Sequence, residues 1–150
     1  DVPNRLRKDV TLRIAYIDAL LATGSQTRAE RELRQMLKTT WHPKLVLRYG
    51  EISTDDPNAQ LEQAERWLDK HGDDAELLLT AGRLCMANKL WGKARSYIES
   101  SLATRPMPAA YASYGQLLTQ LGESGAAADA FRQGLAIVAD DTLALPKPLD

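Results

Sequence analysis

The stretch "LLLTAGRLCMANKLWGKARSYIESSLATRP", residues 77–106, places Gly82, Ala94 and Ile98 at spacings that return one unit later. Gly115, Ala127 and Phe131 follow at a common displacement of 33 residues (115−82, 127−94, 131−98). Three coincident offsets mark an internal repeat, and a period of this length suits a unit of two helices. Trp91, Ala94, Ile98 and Leu102 fall at intervals of three and four, the spacing of one helix face. Looking backward, Tyr49-Gly50 stands 32 residues before Ala81-Gly82, with Ala64 and Leu68 in the helix that follows. The first unit is looser. Gly24, Ala29 and Leu33 reproduce the spacing of Gly122, Ala127 and Phe131, but Ile17 occupies the mid-helix position given to glycine elsewhere.

Outward from that stretch, glycine and proline cut the chain into helical segments, while β-branched residues are too sparse and unpatterned for strands. The expectation is an all-α chain of eight helices, each of roughly 11 to 17 residues. Pro43, Pro57 and Pro108 suit first helical turns, where a missing N–H costs nothing, and Asp73 with Glu76 has capping-box spacing. The helices pair into repeats at about residues 8–41, 42–72, 73–106 and 107–139, a single repeat domain over 1–139 followed by an irregular tail at 140–150. About two extra residues lengthen the turn of the second unit, around Ser53 to Asn58.

Charge excludes some partners. Nineteen Lys and Arg against 20 Asp and Glu leave a net charge of −1, no footprint for nucleic acid. Residues 1–48 carry ten basic and five acidic side chains, an imbalance read as ordinary solvated helix faces. One cysteine, Cys85, excludes an internal disulfide. No apolar run reaches the roughly 18 to 20 residues that span a bilayer, and no signal peptide is visible.

Catalytic and metal chemistry find little in the residues, and the chain reads as no enzyme. His42 and His71 lie beside Pro43 and Gly72 at helix boundaries, and neither has a Ser, Cys or Asp spaced for a triad. The glycines are scattered rather than gathered into a phosphate loop. Asp55-Asp56 and Asp73-Asp74 precede helices, where carboxylates favour the positive dipole end. Cys85-Met86 juxtaposes two soft sulfur ligands, but the register puts Cys85 on the buried side and Met86 one step nearer the surface.

With the repeat in place, the chain resembles the tetratricopeptide repeat family, which alternates two antiparallel helices over about 34 residues. The fourth unit carries the pattern most fully, with Tyr111, Tyr114-Gly115, Leu118, Gly122, Ala127 and Phe131; the third has Asn88-Lys89 where the turn glycine belongs. The resemblance implies a solenoid in which the first helix of each pair lines a concave groove. The side chains one residue past the small position, Asp18, Glu51, Arg83 and Gln116, then point into it. They are flanked by Lys44, Leu47, Arg48, Glu76, Leu79, Met86, Ala112 and Thr119. The candidate partner-binding set is therefore Lys44, Arg48, Glu51, Arg83, Met86 and Gln116. The Lys/Asn/Arg set with which some family members grip a terminal carboxylate is absent; Ile14 and Asp18 stand where its first two residues would be.

A narrower resemblance rests on "LWGKARSY" (90–97), with "VPNRLRKDVTLRIAYIDALLATG" (2–24), "AERWLDKHGDDAELLL" (64–79) and "DAFRQGL" (129–135). These strings are similar to the C-terminal region of the HemY family of proteobacterial inner-membrane proteins associated with haem biosynthesis. That resemblance implies an N-terminal membrane anchor and further repeats upstream, with this domain on the cytoplasmic side. It implies an interaction module in late porphyrin synthesis whose partner is a haem-synthesis enzyme. A haem or porphyrin carrier is the alternative, with Arg48 and Arg83 on propionates and Met86 or a histidine near iron. The flavin-dependent oxidase sometimes given the same name is not implied, since no dinucleotide fingerprint is present.

Overall fold

The computed structural model describes residues 4–143, which form eight α-helices and, among the described residues, no strand. In chain order these are α1 (Asn4–Ala22), α2 (Gln26–Thr39), α3 (Pro43–Tyr49), α4 (Pro57–Leu68), α5 (Ala75–Ala87), α6 (Trp91–Thr104), α7 (Pro108–Gln120) and α8 (Ser124–Leu143). They stack as four consecutive hairpins. Each odd-numbered helix after the first leans back on both helices of the hairpin before it: α3 on α1 and α2, α5 on α3 and α4, α7 on α5 and α6. No hairpin closes a core alone, so burial is shared along the stack. The central helix shows this best, with ten residues from Ala75 to Cys85 buried on several sides at once.

Three of the four hairpin turns share one geometry. Gly24 and Gly122 both take φ of +78°, and their N–H groups donate to Leu21 and Thr119. The third hairpin makes the same turn with Lys89, at φ of 59°, whose N–H donates to Met86. The missing turn glycine is thus replaced by a lysine held in the left-handed region.

The 33-residue displacement has a steric cause. A Cβ built on Gly82 would lie 2.6 Å from Ile98 Cγ1, and one on Gly115 would lie 2.5 Å from Phe131 Cε1. The glycine of each first helix therefore seats the bulky residue of the second, letting α5 meet α6 and α7 meet α8 at close range. Ala94, fully buried, contributes its carbonyl to the same crossing, 3.4 Å from that position on Gly82.

The second hairpin departs from the expected pattern. Gly50 is not mid-helix: α3 ends after seven residues at Tyr49 and Gly50 caps it, its backbone pressed against Thr80 of α5. Gly50 with the β-branched Ile52 and Thr54 makes poor helix sequence, which stops α3 short. The lengthened turn is stitched by Gln60, 2% exposed, whose amide donates to Ile52 O and accepts from the Thr54 N–H and hydroxyl. α3 and α4 do not approach at the backbone as the later pairs do. Their space is filled by rings: Trp67 meets Tyr49 and Trp41 edge-on at 4.8 and 5.6 Å, and His71 stacks on Trp41 at 3.9 Å.

Three further expectations need correction. The cap of α5 is Asp74, whose carboxylate accepts the Leu77 N–H and the Trp41 indole N–H, rather than Asp73. α1 and α8 run to 19 and 20 residues, beyond the expected range. α8 continues as helix through Leu143 instead of becoming irregular at residue 140, because Ala139 to Leu143 contains neither glycine nor proline; residues 144–150 lie outside the described residues.

Candidate functional site

The odd-numbered helices bring the groove candidates onto one face. Arg48 Nε lies 3.3 Å from Asp18 Oδ1, outside hydrogen-bonding alignment, while its Nη1 donates to Glu51 Oε2 at 2.6 Å. Glu51 Oε1 faces Arg83 Nη1 at 3.7 Å, and Arg83 Nε donates to Ser113 Oγ at 2.9 Å. The result is a ladder from α1 through α3 and α5 to α7, with charges alternating along it. Arg83 is the most enclosed of its charged members, its side chain 20% exposed. Burial pulls its guanidinium below the ordinary value, opposed by the Glu51 carboxylate.

Beside the ladder lies an open depression of about 390 Å³, lined by Gly50, Glu51, Arg83, Met86, Ala112, Ser113 and Gln116. Four of the six candidates, Glu51, Arg83, Met86 and Gln116, line it directly, and Arg48 borders it through Glu51. Lys44 does not. It sits in the first turn of α3, where its N–H donates to His42 Nδ1, and its side chain is exposed away from the depression. Two flanking candidates are also displaced: Leu79 is fully buried in the core, and Glu76, mostly buried, pairs with Arg105. The crowding of α5 on all sides turns both positions inward.

Ser113 was not legible as a site residue. Its signal lay in the repeat itself, because Ser113 stands 33 residues after Thr80, another buried hydroxyl, which donates to Val46 O. Elsewhere, Cys85 is fully buried and burial pushes its thiol up to about 11, too high for a reactive thiolate. Trp91 is half-buried and packs on the shared core. His42 caps α3 and His71 stacks on Trp41. Among the described residues no cluster of three or more His, Cys, Asp or Glu is arranged to hold a metal ion.

Solved structures share this architecture. The chain is similar to MamA, residues 41 to the end, from Desulfovibrio magneticus RS-1, at 16% identity and a TM-score of 0.62, covering 83% of this chain and 72% of that one. A further crystal structure of MamA matches at 20% identity and a TM-score of 0.58, covering 81% of this chain and 73% of that one. Both are tetratricopeptide-repeat solenoids. The fold is a tetratricopeptide-repeat solenoid. No family model matches the chain, and no curated protein matches it in sequence. The ladder runs along the face of the odd-numbered helices, and the depression opens between the second, third and fourth repeats.

Proposed function

We propose that the chain is a non-enzymatic interaction module that binds an extended segment of a protein partner along the face of its odd-numbered helices. The ladder Asp18–Arg48–Glu51–Arg83–Ser113 carries this reading. It holds polar groups at partial exposure beside an open depression, and its longest link, Glu51 to Arg83 at 3.7 Å, leaves guanidinium donors for a ligand carboxylate or carbonyl. Met86 and Ala112 offer an apolar wall, methionine being the most adaptable of such contacts, and the exposed Gln116 amide can both donate and accept.

The finer reading follows the "LWGKARSY" strings. The whole protein is a HemY-type component of late porphyrin and haem synthesis, its anchor in the bacterial inner membrane, this domain on the cytoplasmic side, its partner a haem-synthesis enzyme. Among the described residues no helix is long and apolar enough to cross a membrane, so on this reading the anchor lies outside them.

The test is recovery of partners from host membranes with the full-length protein and with Arg48→Glu, Arg83→Glu and Gln116→Lys. Gln116 is exposed, so its variant separates binding from stability. Loss of one common partner in all three, with helicity retained by circular dichroism, is the expected result. Unchanged recovery would count against this face; recovery of a partner unrelated to porphyrin chemistry would remove the HemY reading and leave the module.

The carrier alternative gains nothing from the geometry. The depression contains no histidine to approach iron, and Met86 is the one sulfur ligand in its lining. Titration with haemin is expected to give no saturable Soret shift, and a saturable one abolished by Met86→Ala would restore the carrier.

A further inference from the structure

A second depression, of about 340 Å³, lies between α2 and α4 and shares no residue with the ladder or with the depression beside it. Thr27, Glu30 and Arg34 of α2 form one wall, at helical intervals of three and four; Gln63 and Arg66 of α4 stand on the other. The lengthened turn closes one end with Thr54, Asp55 and Asp56. That end is fastened to both walls. The Ser53 N–H donates to Gln26 Oε1 of α2 at 3.1 Å, and Gln60 of α4 binds the turn at Ile52 and Thr54. The cleft is therefore a preformed part of the fold, set between the first two hairpins, which pack on each other through α1, α2 and α3.

The repeat shows what fills such a cleft elsewhere. One unit on, Lys93 crosses from α6 to Glu65 of α4 at 2.6 Å, and the Tyr97 hydroxyl donates to the same carboxylate. Lys93 immediately precedes the buried Ala94, and Glu65 immediately follows the buried Ala64. The same positions in the earlier cleft hold Gln63, before Ala64, and Glu30, after the buried Ala29. A glutamine thus stands where the crossing lysine belongs. Glu30 takes its cation from its own helix instead, accepting from Nε and Nη2 of Arg34, and the Tyr49 hydroxyl serves it as Tyr97 serves Glu65. Gln63 likewise turns to its own helix and accepts from Arg66. Among the described residues no side-chain hydrogen bond or ion pair joins α2 to α4, so the space that a lysine occupies one unit on stays open.

We propose that this cleft takes a lysine side chain from a segment of a partner protein, its ammonium entering between α2 and α4 as Lys93 does between α4 and α6. Charge favours such an occupant. The lining acids, Glu30, Asp55 and Asp56, outnumber Arg34 and Arg66, and Arg34 is already held by Glu30. Asp55 has no hydrogen bond or ion pair among the described residues, and Asp56 uses only Oδ1, on the Ala59 N–H. Arg66 keeps Nε and Nη1 for backbone carbonyls of the segment, which selects a peptide over a free amine.

The test titrates the 150-residue chain with acetyl-Gly-Lys-Gly-amide and with its norleucine counterpart, following backbone amide shifts by NMR. At concentrations up to about 10 mM the lysine peptide is expected to shift the cleft residues saturably, and the norleucine peptide to leave them unmoved. Asp55→Asn, at an exposed position, is expected to weaken binding about two- to fivefold, the worth of one exposed charge pair. Gln63→Lys supplies the crossing lysine from within, so it is expected to raise the melting temperature and abolish the peptide shifts together. Equal shifts from the two peptides, shifts confined to the depression beside Arg83, or a folded Gln63→Lys chain that still binds would each overturn the proposal. So would n-butylammonium binding as tightly as the peptide, since the cleft would then be a site for free amines.

Discussion

Lys89 is the one described non-glycine residue with a positive φ, 59°. An L-residue in that region carries about 1–2 kcal/mol of strain that glycine avoids. Lys89→Gly is therefore expected to stabilise the domain by about 1 kcal/mol in urea titrations, with no change in fold. The sequence displayed the missing glycine plainly, yet nothing in a lysine announces that it will take the glycine's backbone. The crossing glycines read more directly, since both answer the same steric demand. Their tolerance still differs. Ile98 is fully buried and β-branched, so Gly82→Ala is expected to cost about 1–3 kcal/mol. Phe131 has solvent to swing into, so Gly115→Ala should be close to neutral once the gain in helix propensity of about 1 kcal/mol is included. Parallel denaturation curves distinguish the two. His42 supplies a pH dependence. Its Nδ1 must be unprotonated to accept the Lys44 N–H, and burial, aided by the nearby Lys44 charge, holds its pKa below the ordinary 6.5. The unfolded chain then binds the proton first, so this contribution is complete above 6.5 and lost as pH falls through the depressed value. His42→Asn keeps an acceptor for the cap, and its melting temperature is expected to fall less than that of the unsubstituted chain between about pH 7.5 and about pH 5.

Among the elements, α3 was the least legible. Tyr49-Gly50 imitates Ala81-Gly82 closely enough to suggest a full-length helix with a mid-helix glycine, but α3 stops at Tyr49 and the glycine packs on Thr80 instead. A pairwise spacing records which residues correspond and is silent on whether the backbone between them remains helical. What holds the short helix is polar and reaches both the first hairpin and its own turn. The Tyr49 hydroxyl donates to Glu30 of α2 at 2.7 Å, and Gln60 satisfies the turn backbone at Ile52 and Thr54. Gln60→Ala leaves a carbonyl and an N–H without those partners, at an expected cost of about 1–3 kcal/mol. Since the hairpins are coupled only to their neighbours, amide exchange should accelerate in residues 50–56 and α4 while α7 and α8 change little.

At the scale of the whole molecule, the face of the odd-numbered helices was legible as a set of positions but not as a network. The repeat register put Asp18, Glu51, Arg83 and Gln116 on one face; it could not show that Arg48 bridges two of them or that Ser113 ends the ladder. Lys44 shares the Arg48 register but stands a turn earlier, in the first turn of α3, and so falls outside the depression. Burial is graded along the array, greatest in α5, which packs against α3, α4, α6 and α7. Native-state hydrogen exchange is accordingly expected to be slowest in α5 and fastest in α1 and the far end of α8. The hairpins also differ in how their helices meet. In the last two, backbone rests close to backbone over a glycine; in the second, Trp67, Tyr49 and Trp41 stand between the helices. As a spring, then, the molecule has coils of unequal stiffness. Pulled from its ends, it lengthens first where rings can slide over one another, so the reach of the ladder is set by compliance in its second turn.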